Sequence, residues 1–595
     1  MLIKQLHQSL IPVAGKLNKS QVAFWLSLCL ICAFIYAWMG QEPAFSSPYA
    51  AQDDARQHVF WMRRFLDPEL FPNDWIADYF QSLAPAGYTA VYRLAAMVGI
   101  DPLFFNKLLP FGLALIATIY GFGACLQILP VPFAGFLTAL LLNQNLWLHD
   151  DIPSGTARAF LYPIFLAFLY YLLRRSLLPC LVTIALQGLF YPQFIFIMSG
   201  VLCLRLLTWQ GGLRLSHDRR DYLFCGTGLI VAFLVLLPYA LEVSQYGPQI
   251  TLEEAKVLPE FAEGGRTDFF NDNPRKFWLT AKRSGAVVWI MPLCILSVVV
   301  FPILLKFSHR FPLITRLQNL GIFAQVGLVS VGMFLAAHAL LFKLYLPSRY
   351  THANLQILSA LITGITIPIL LDTIFGWAQQ RQVNLRQWGA IATVIFLGAI
   401  LFHSPKLYEF PKKSYIVGGV PKIYRFFAEQ PKDILIASLS REIDNIPSFS
   451  QRSILVAREY ALPYHQGYYR QIRQRIIDLI RAHYSPNLAE VQAFIRNYGI
   501  DYWLIDRNYL QKTEVKLYRL IPMNNWLNQF QPLINQIRTR LEQGEVPILV
   551  NLSRQCSVLR VQNLEVLDAE CILRLPQEKQ LKVGQKETPS PSVPP

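Results

Sequence analysis

The sequence predicts a polytopic α-helical membrane protein of about eleven transmembrane helices, followed by a C-terminal soluble α/β domain. Three observations carry this. Of 595 residues, 53% are hydrophobic and only 15% charged, against about a quarter charged in soluble domains. The deficit lies in residues 20–402, where apolar runs recur at about the 20 residues that a hydrocarbon core of about 30 Å requires. From residue 403 the composition returns to that of a soluble domain.

Residues 1–20 form a basic N-terminal segment. The first apolar segment, Val22 to Met39, is long enough to span and has no small-residue cleavage site behind it, so it reads as a membrane helix rather than a signal peptide. Spans follow near 21–39, 103–129, 131–148, 156–173, 221–241, 284–305, 319–342, 353–375 and 388–402. Residues 177–207 are few for two spans and many for one. Charge resolves them. Lys4, Lys16 and Lys19 precede the first span, Arg174 and Arg175 follow the fourth, and Arg205, Arg214, Arg219 and Arg220 fill the next basic loop. Basic short loops stay in the cytoplasm, so 177–207 crosses twice, as a hairpin turning at Pro192. Lys306, Arg310 and Arg316, then Arg381 and Arg386, fall inside on the same count. The expectation is eleven crossings in a plasma (inner) membrane, N-terminus in the cytoplasm and residues 403–595 outside.

The net charge of +16 is therefore read as topology, and no nucleic-acid partner is expected. Seven of the nine cysteines lie in or beside apolar spans as packing residues; Cys556 and Cys571 fall in the soluble domain and flank SVLRVQNLEVLDAE, two strand-like runs around a turn. A disulfide between them fits an oxidising compartment, and two buried thiols are the alternative.

The outside loops are 40–102, 149–155, 242–283 and 343–352. In the first, Tyr88 to Val98 reads as an interfacial helix. Residues 403–577 read as an α/β domain. Helix signals cover Lys422–Gln430, Tyr468–His483, Leu488–Asn497 and Asn525–Glu542, and strand-like runs Ile434–Ala437, Ile454–Ala457, Tyr502–Ile505 and Ile548–Asn551. This alternation suggests a parallel or mixed sheet covered by helices. Residues 578–595 read as a disordered tail.

Charged residues gather in the outside loops. Asp53 and Asp54 follow the first span, and on a helix Asp54 and His58 share one face at i and i+4. Paired carboxylates beside a membrane suit a general base or a divalent cation; the plain alternative is a solvated helix N-terminus. Asp150 and Asp151 sit at the outer end of the third span, at the same membrane face, so a pooled carboxylate site is expected. Arg349, with Lys343 nearby, is basic on the outer face, against the orienting rule. It can snorkel to head groups, or hold a phosphate, whose oxygens match a guanidinium in two-point geometry. Glu253, Glu254 and the Glu263–Arg266 turn read as a solvated loop.

The stretch DDARQHVFWMRRFLDPELFPNDW, the second acidic element Asp150-Asp151 and the soluble domain on the same face resemble the GT-C superfamily of membrane glycosyltransferases. The resemblance, over about residues 20–402, implies transfer of a sugar from a polyprenyl-phosphate-linked or polyprenyl-diphosphate-linked donor to a lipid, glycan or protein acceptor. It implies Asp53 as base on the acceptor with Asp54 beside it; relatives often carry Glu at the second position, which leaves the choice between the two open. Asp150, Asp151 and His58 would help bind substrate, and Arg349 with Lys343 the leaving phosphate. The candidate cofactor is a divalent cation, with Asp54, Asp150 and Asp151 as candidate ligands. A transporter or flippase for lipid-linked glycans is the alternative, but transporters place ionisable groups at mid-membrane, whereas these spans are nearly free of charge. A non-catalytic envelope scaffold is the third reading.

Overall fold

The computed structural model describes residues 2–12, 18–209, 212–242, 244–379, 384–402, 415–510 and 527–576. The expected tail at 578–595 lies outside the described residues. Among these, six helices are long and apolar enough to cross a membrane: Lys19–Phe45, Pro102–Leu126, Arg219–Leu241, Gly321–Ala339, Pro347–Gln379 and Leu385–Phe402. Four shorter apolar helices accompany them, Ala157–Leu173, Leu177–Phe190, Pro192–Arg205 and Pro292–Lys306. The stretch 177–207 breaks at Tyr191–Pro192 into two of these helices. The expected span at 284–305 becomes helical only at Pro292, because proline's fixed φ and missing N–H suit the first helical position.

The helix Pro132–Trp147 lies at the centre, every residue buried, packed by Lys19–Gln41, Pro102–Leu126 and His352–Gln379. A helix apolar on nearly every side belongs in the interior. Its three consecutive amides sit near one end, and each finds a partner, as donors withdrawn from water must. Asn143 donates to Thr118 Oγ1 at 2.8 Å, Gln144 to Tyr36 Oη at 2.9 Å and the Leu401 carbonyl at 2.7 Å, and Asn145 Oδ1 accepts from Met291 N at 3.4 Å.

The segment after the first membrane helix carries strand β1 (Ala50–Gln52), then the helix Asp53–His58, whose first turn Gln52 caps by accepting from Ala55 N at 3.1 Å. The expected interfacial helix runs Ala86–Met97 and leaves Leu94, Met97 and Val98 exposed. A short antiparallel hairpin, β2 (Leu207–Trp209) with β3 (Leu213–Leu215), follows Arg205. At that end of the bundle Arg175 and Arg205 share Asp221, at 3.0 and 3.3 Å.

Strand β4 (Tyr415–Val417) pairs antiparallel with β1, joining the C-terminal domain to the segment after the first membrane helix. The domain's sheet has five strands: β5 (Leu435–Ser438), β6 (Ser453–Ile454), β7 (Tyr502–Asp506), β8 (Ser557–Val561) and β9 (Leu564–Asp568), in the order β6-β5-β7-β9-β8. The β5 neighbours are parallel and the β9 neighbours antiparallel, a mixed sheet. The expected strand at Ile548–Asn551 is instead a helix, Ile548–Leu552. Three apolar residues in a row carry no period; Pro547 starts the turn, and the buried residues are Leu549 and Leu552, at helical spacing. The run 454–457 pairs as strand only through Ile454.

A second seam closes where Tyr468 N donates to the Tyr246 carbonyl at 3.0 Å. Two backbones touch here, so Gly467 has no room for a side chain: a Cβ would lie 2.5 Å from Tyr246 O. Gly247 opposite has φ +84°, which glycine adopts freely.

Cys556 and Cys571 are joined in a disulfide, Cα atoms 5.5 Å apart, tying the start of β8 to the helix after β9. Closing a loop of about 15 residues stabilises by roughly 3 kcal/mol. Cys571→Ser should therefore lower the thermal midpoint of the purified chain, and a reducing agent should lower the wild type to the same value. Equal midpoints for all three would refute the assignment.

Candidate active site

The central helix ends at Trp147 and delivers the loop 149–155. This loop is fixed from below. Asn106 Nδ2 donates to the Ser154 carbonyl and to Tyr92 Oη, both at 2.8 Å, and Tyr92 Oη donates to the Gly155 carbonyl at 2.9 Å. Gly155 has φ +57°, and a Cβ there would lie 2.6 Å from Asn106 Nδ2. Asp151 is thereby held buried, with Tyr162 donating to its Oδ2.

Arg158 stands on the 3-10 turn Ala157–Phe160 that starts the next helix, and its guanidinium gathers the carboxylates. Nη2 donates to Asp54 Oδ2 at 2.9 Å and lies 3.4 Å from Asp150 Oδ1; Nε lies 2.7 Å from Asp151 Oδ1 in an ion pair whose angle is too bent for a hydrogen bond. Lys282, from the loop before Pro292, is 3.4 Å from Asp150 Oδ2. Burial alone would raise the Asp150 carboxyl, but Arg158, Lys282 and Arg349 outweigh it and hold it well below its ordinary value. For Asp151, burial and the neighbouring Asp150 are outweighed by Arg158, Arg349 and the Tyr162 hydroxyl.

Arg349 lies on the 3-10 turn Pro347–Tyr350 at the head of the long helix His352–Gln379. Ser348 anchors that turn, its N donating to the Arg283 carbonyl at 3.2 Å and its Oγ to the Lys282 carbonyl at 3.0 Å. Among the described residues the Arg349 side chain has no hydrogen-bond or ion-pair partner, and its Nε is buried. A buried cation without a counter-charge is costly, and a guanidinium beside this cluster has the donors to grip an anion.

Of the residues singled out from sequence, Asp54, Asp150 and Asp151 converge, and Arg349 lies close enough to shift both acids of the second loop. His58 shares their electrostatic environment. Burial lowers its pKa, Asp54 partly opposes this, and Arg158 and Arg266 add to it. Asp53 does not converge. One residue along a helix turns the side chain by about 100°, so Asp53 faces Arg56, which donates to Asn445 Oδ1 of the soluble domain at 2.7 Å. Lys343 is exposed and pairs with nothing among the described residues. Sequence reasoning missed Arg158, although a signal existed: it lies inside the run expected to span at 156–173, where an arginine needs a partner. Glu263 pairs with exposed Lys276, a solvated role, but Glu254, which closes a capping box with Thr251, also accepts from Gln466 Nε2 at 2.6 Å, and Arg266 likewise reaches the soluble domain.

There Arg266 donates to the Arg458 carbonyl at 2.8 Å and to the Glu459 carbonyl at 2.7 Å, and its Nη2 lies 3.2 Å from Glu459 Oε1; Arg56 is 3.9 Å from the same carboxyl. Burial pushes Glu459 up to about 7; Asp53 and Asp444 add to it, Arg266 and Arg56 oppose. Among the described residues no group of three or more His, Cys, Asp or Glu side chains is disposed to hold a metal ion.

A carboxyl whose pKa is higher in the folded protein contributes stability at low pH and loses it as pH rises through that value. Relative to Glu459→Gln, the wild type should lose thermal stability between about pH 5 and pH 8. A difference in midpoint that stays constant over this range would refute the shift.

No protein-family model matches this sequence, and no curated protein matches it. Among solved structures, the apo oligosaccharyltransferase of Archaeoglobus fulgidus superposes with a TM-score of 0.52 at 9% identity, over 82% of this chain and 70% of that one. The same enzyme in complex with Zn and sulfate matches at 0.43 and 11%, over 81% and 68%. ArnT from Cupriavidus metallidurans in the apo state matches at 0.43 and 13%, over 94% and 99%. The first of these likenesses is one of fold.

Proposed function

We propose that this chain, which has the GT-C fold, is a membrane glycosyltransferase moving a sugar from a polyprenyl-phosphate-linked donor to an acceptor at the outer membrane face. The observation that carries this is the gathering of Asp54, Asp150 and Asp151 from two loops beside the guanidinium of Arg349, whose Nε is buried and whose side chain has no hydrogen-bond or ion-pair partner among the described residues. Arg349 grips the donor phosphate and offsets the charge that develops there as the glycosidic bond breaks. A carboxylate takes the acceptor's proton as its oxygen attacks the anomeric carbon. Asp54 is the better candidate than Asp53, because it faces the cluster while Asp53 is engaged by Arg56. The fixed loop around Gly155 and Tyr162 keeps Asp151 in register. Lys282 and Lys343, at the same outer rim, favour an anionic head group. The acceptor enters from the soluble-domain side, past His58 and Asp53.

The transporter reading fits less well. Ionisable side chains of the described membrane helices sit near their ends, and the most interior, Asp372, pairs with His7 at 2.8 Å. The topology belongs to the same proposal: eleven crossings, N-terminus inside and soluble domain outside. Phosphatase fused after Phe402 should be active and a fluorescent protein at the same point dark; the reverse would overturn the orientation.

For the chemistry, Asp54→Asn should lower kcat about a hundredfold or more, while Asp53→Asn should act less on kcat. Arg349→Ala should cost about a hundredfold, mainly in donor use. The assay is transfer from a synthetic polyprenyl-phosphate sugar in nanodiscs, with glycolipids of cells lacking the protein identifying the sugar. Full activity in both the Asp54→Asn and Asp53→Asn variants would reject the assignment.

A further inference from the structure

We infer that the Arg158 guanidinium takes the position a divalent cation would otherwise occupy among Asp54, Asp150 and Asp151, so that this site neither needs nor binds a metal; the inference deepens the glycosyltransferase reading and rests on it. The question is set by the carboxylates themselves. Three acids from two loops, brought together in a partly buried site, are the usual makings of a divalent-cation site. Such an ion needs free carboxylate oxygens converging on one point at about 2.0–2.6 Å.

Here that point is filled. Arg158 contacts one oxygen of each acid, at 2.9 Å for Asp54, 3.4 Å for Asp150 and 2.7 Å for Asp151. The second oxygen of Asp151 accepts from Tyr162, and that of Asp150 faces Lys282 at 3.4 Å. Only Asp54 Oδ1 lacks a contact of this kind among the described residues. Charge closes as well: three carboxylates meet Arg158 and Lys282, with Arg349 acting on Asp150 and Asp151. A dication added beside Arg158 would meet a fixed positive charge within contact distance and lose its ligands to it.

The arginine also cannot step aside cheaply. It is nearly buried and sits on a single 3-10 turn directly before the helix at Leu161, so moving it away would leave a cation in an apolar wall and three acids facing one another. Arg158 is thus a positioning residue, holding Asp54 from the first loop against the acids of the second. The consequence for substrate follows. Arg349, whose side chain has no hydrogen-bond or ion-pair partner among the described residues, is the cation beside the cluster that can take an anion, and one guanidinium suits the single negative charge of a phosphodiester-linked donor better than a diphosphate.

The test is Mn2+ titration of the metal-stripped, purified chain in detergent, read by the loss of the free Mn2+ spin-resonance signal, with no substrate present. The wild type should bind no stoichiometric Mn2+. Arg158→Gln, which keeps most of the volume and removes the charge, should bind one Mn2+ per chain, and Asp54→Asn or Asp151→Asn in that background should abolish the binding. One equivalent bound by the wild type and lost in Asp151→Asn would overturn the inference, as would a folded Arg158→Gln variant that binds none. Should Arg158→Gln fail to fold, the wild-type titration decides by itself. Because the readout needs no turnover, a failure to detect sugar transfer would count against the proposed function and leave this result standing, and stoichiometric Mn2+ in an active wild type would do the opposite.

Discussion

A guanidinium withdrawn from water must be surrounded by its counter-charges, and the end of the helix bundle that meets the C-terminal domain is arranged around meeting that condition at Arg158. The side chain is nearly buried, and its three carboxylate partners come from two loops that are separated in sequence by two membrane helices and the interfacial helix. Removing one partner of such a buried pair typically costs about 3–5 kcal/mol. That penalty fixes the position of the helix Asp53–His58 over the loop 149–155 more firmly than apolar packing, which tolerates sliding, can do. Asn106, Tyr92 and Gly155 then hold the second loop still, so the acids are presented by backbone that has little freedom to relax.

The soluble domain is bound to this arrangement by a second set of buried charges. Arg56 reaches Asn445 and Glu459 from the first loop, and Arg266 reaches Glu459 from the loop before Pro292. Polar contacts dominate these pairings, but stacked rings back them: Tyr79 lies on Tyr468 with ring centroids 3.5 Å apart and planes 7° from parallel. The domain is therefore built onto the loops that carry the acids rather than hung beside them. A carboxyl that burial raises to about 7 in that seam, Glu459, makes the docking sensitive to proton concentration around neutrality.

The sequence was legible where one physical rule dominated. Apolar length found the helices of residues 19–402, and a proline in an apolar run located the break at Tyr191–Pro192. The Cys556–Cys571 bridge was readable because two strand-like runs between two cysteines leave few other geometries. The segment 548–551 reads as a strand because three adjacent apolar residues fit a strand as well as one helical turn, and only the burial of Leu549 with Leu552 tells them apart. Asp54, Asp150, Asp151 and Arg349 were legible as charges at one membrane depth. Arg158 was not, since a composition window absorbs one arginine into a span, and its importance arises only when three distant carboxylates fold onto it. Nor could periodicity assign Asp53 and Asp54 to different partners; that depends on which way a six-residue helix is rotated.

That rotation has a mechanical consequence. Asp53 and Asp54 are adjacent, yet one faces Arg56 and through it the soluble domain, while the other faces Arg158 and the membrane-embedded half. The helix carrying them is too short to bend, being capped by Gln52 at one end and stopped at Val59 at the other. It can only turn or shift as a unit. Any displacement of the soluble domain that pulls on Arg56 must therefore move Asp54 against Arg158, and any anion drawn to Arg349 beside Arg158 acts in the reverse direction on the same unit. Two interfaces that share a rigid element with two faces are coupled by geometry, because neither can change its arrangement without altering the contacts of the other.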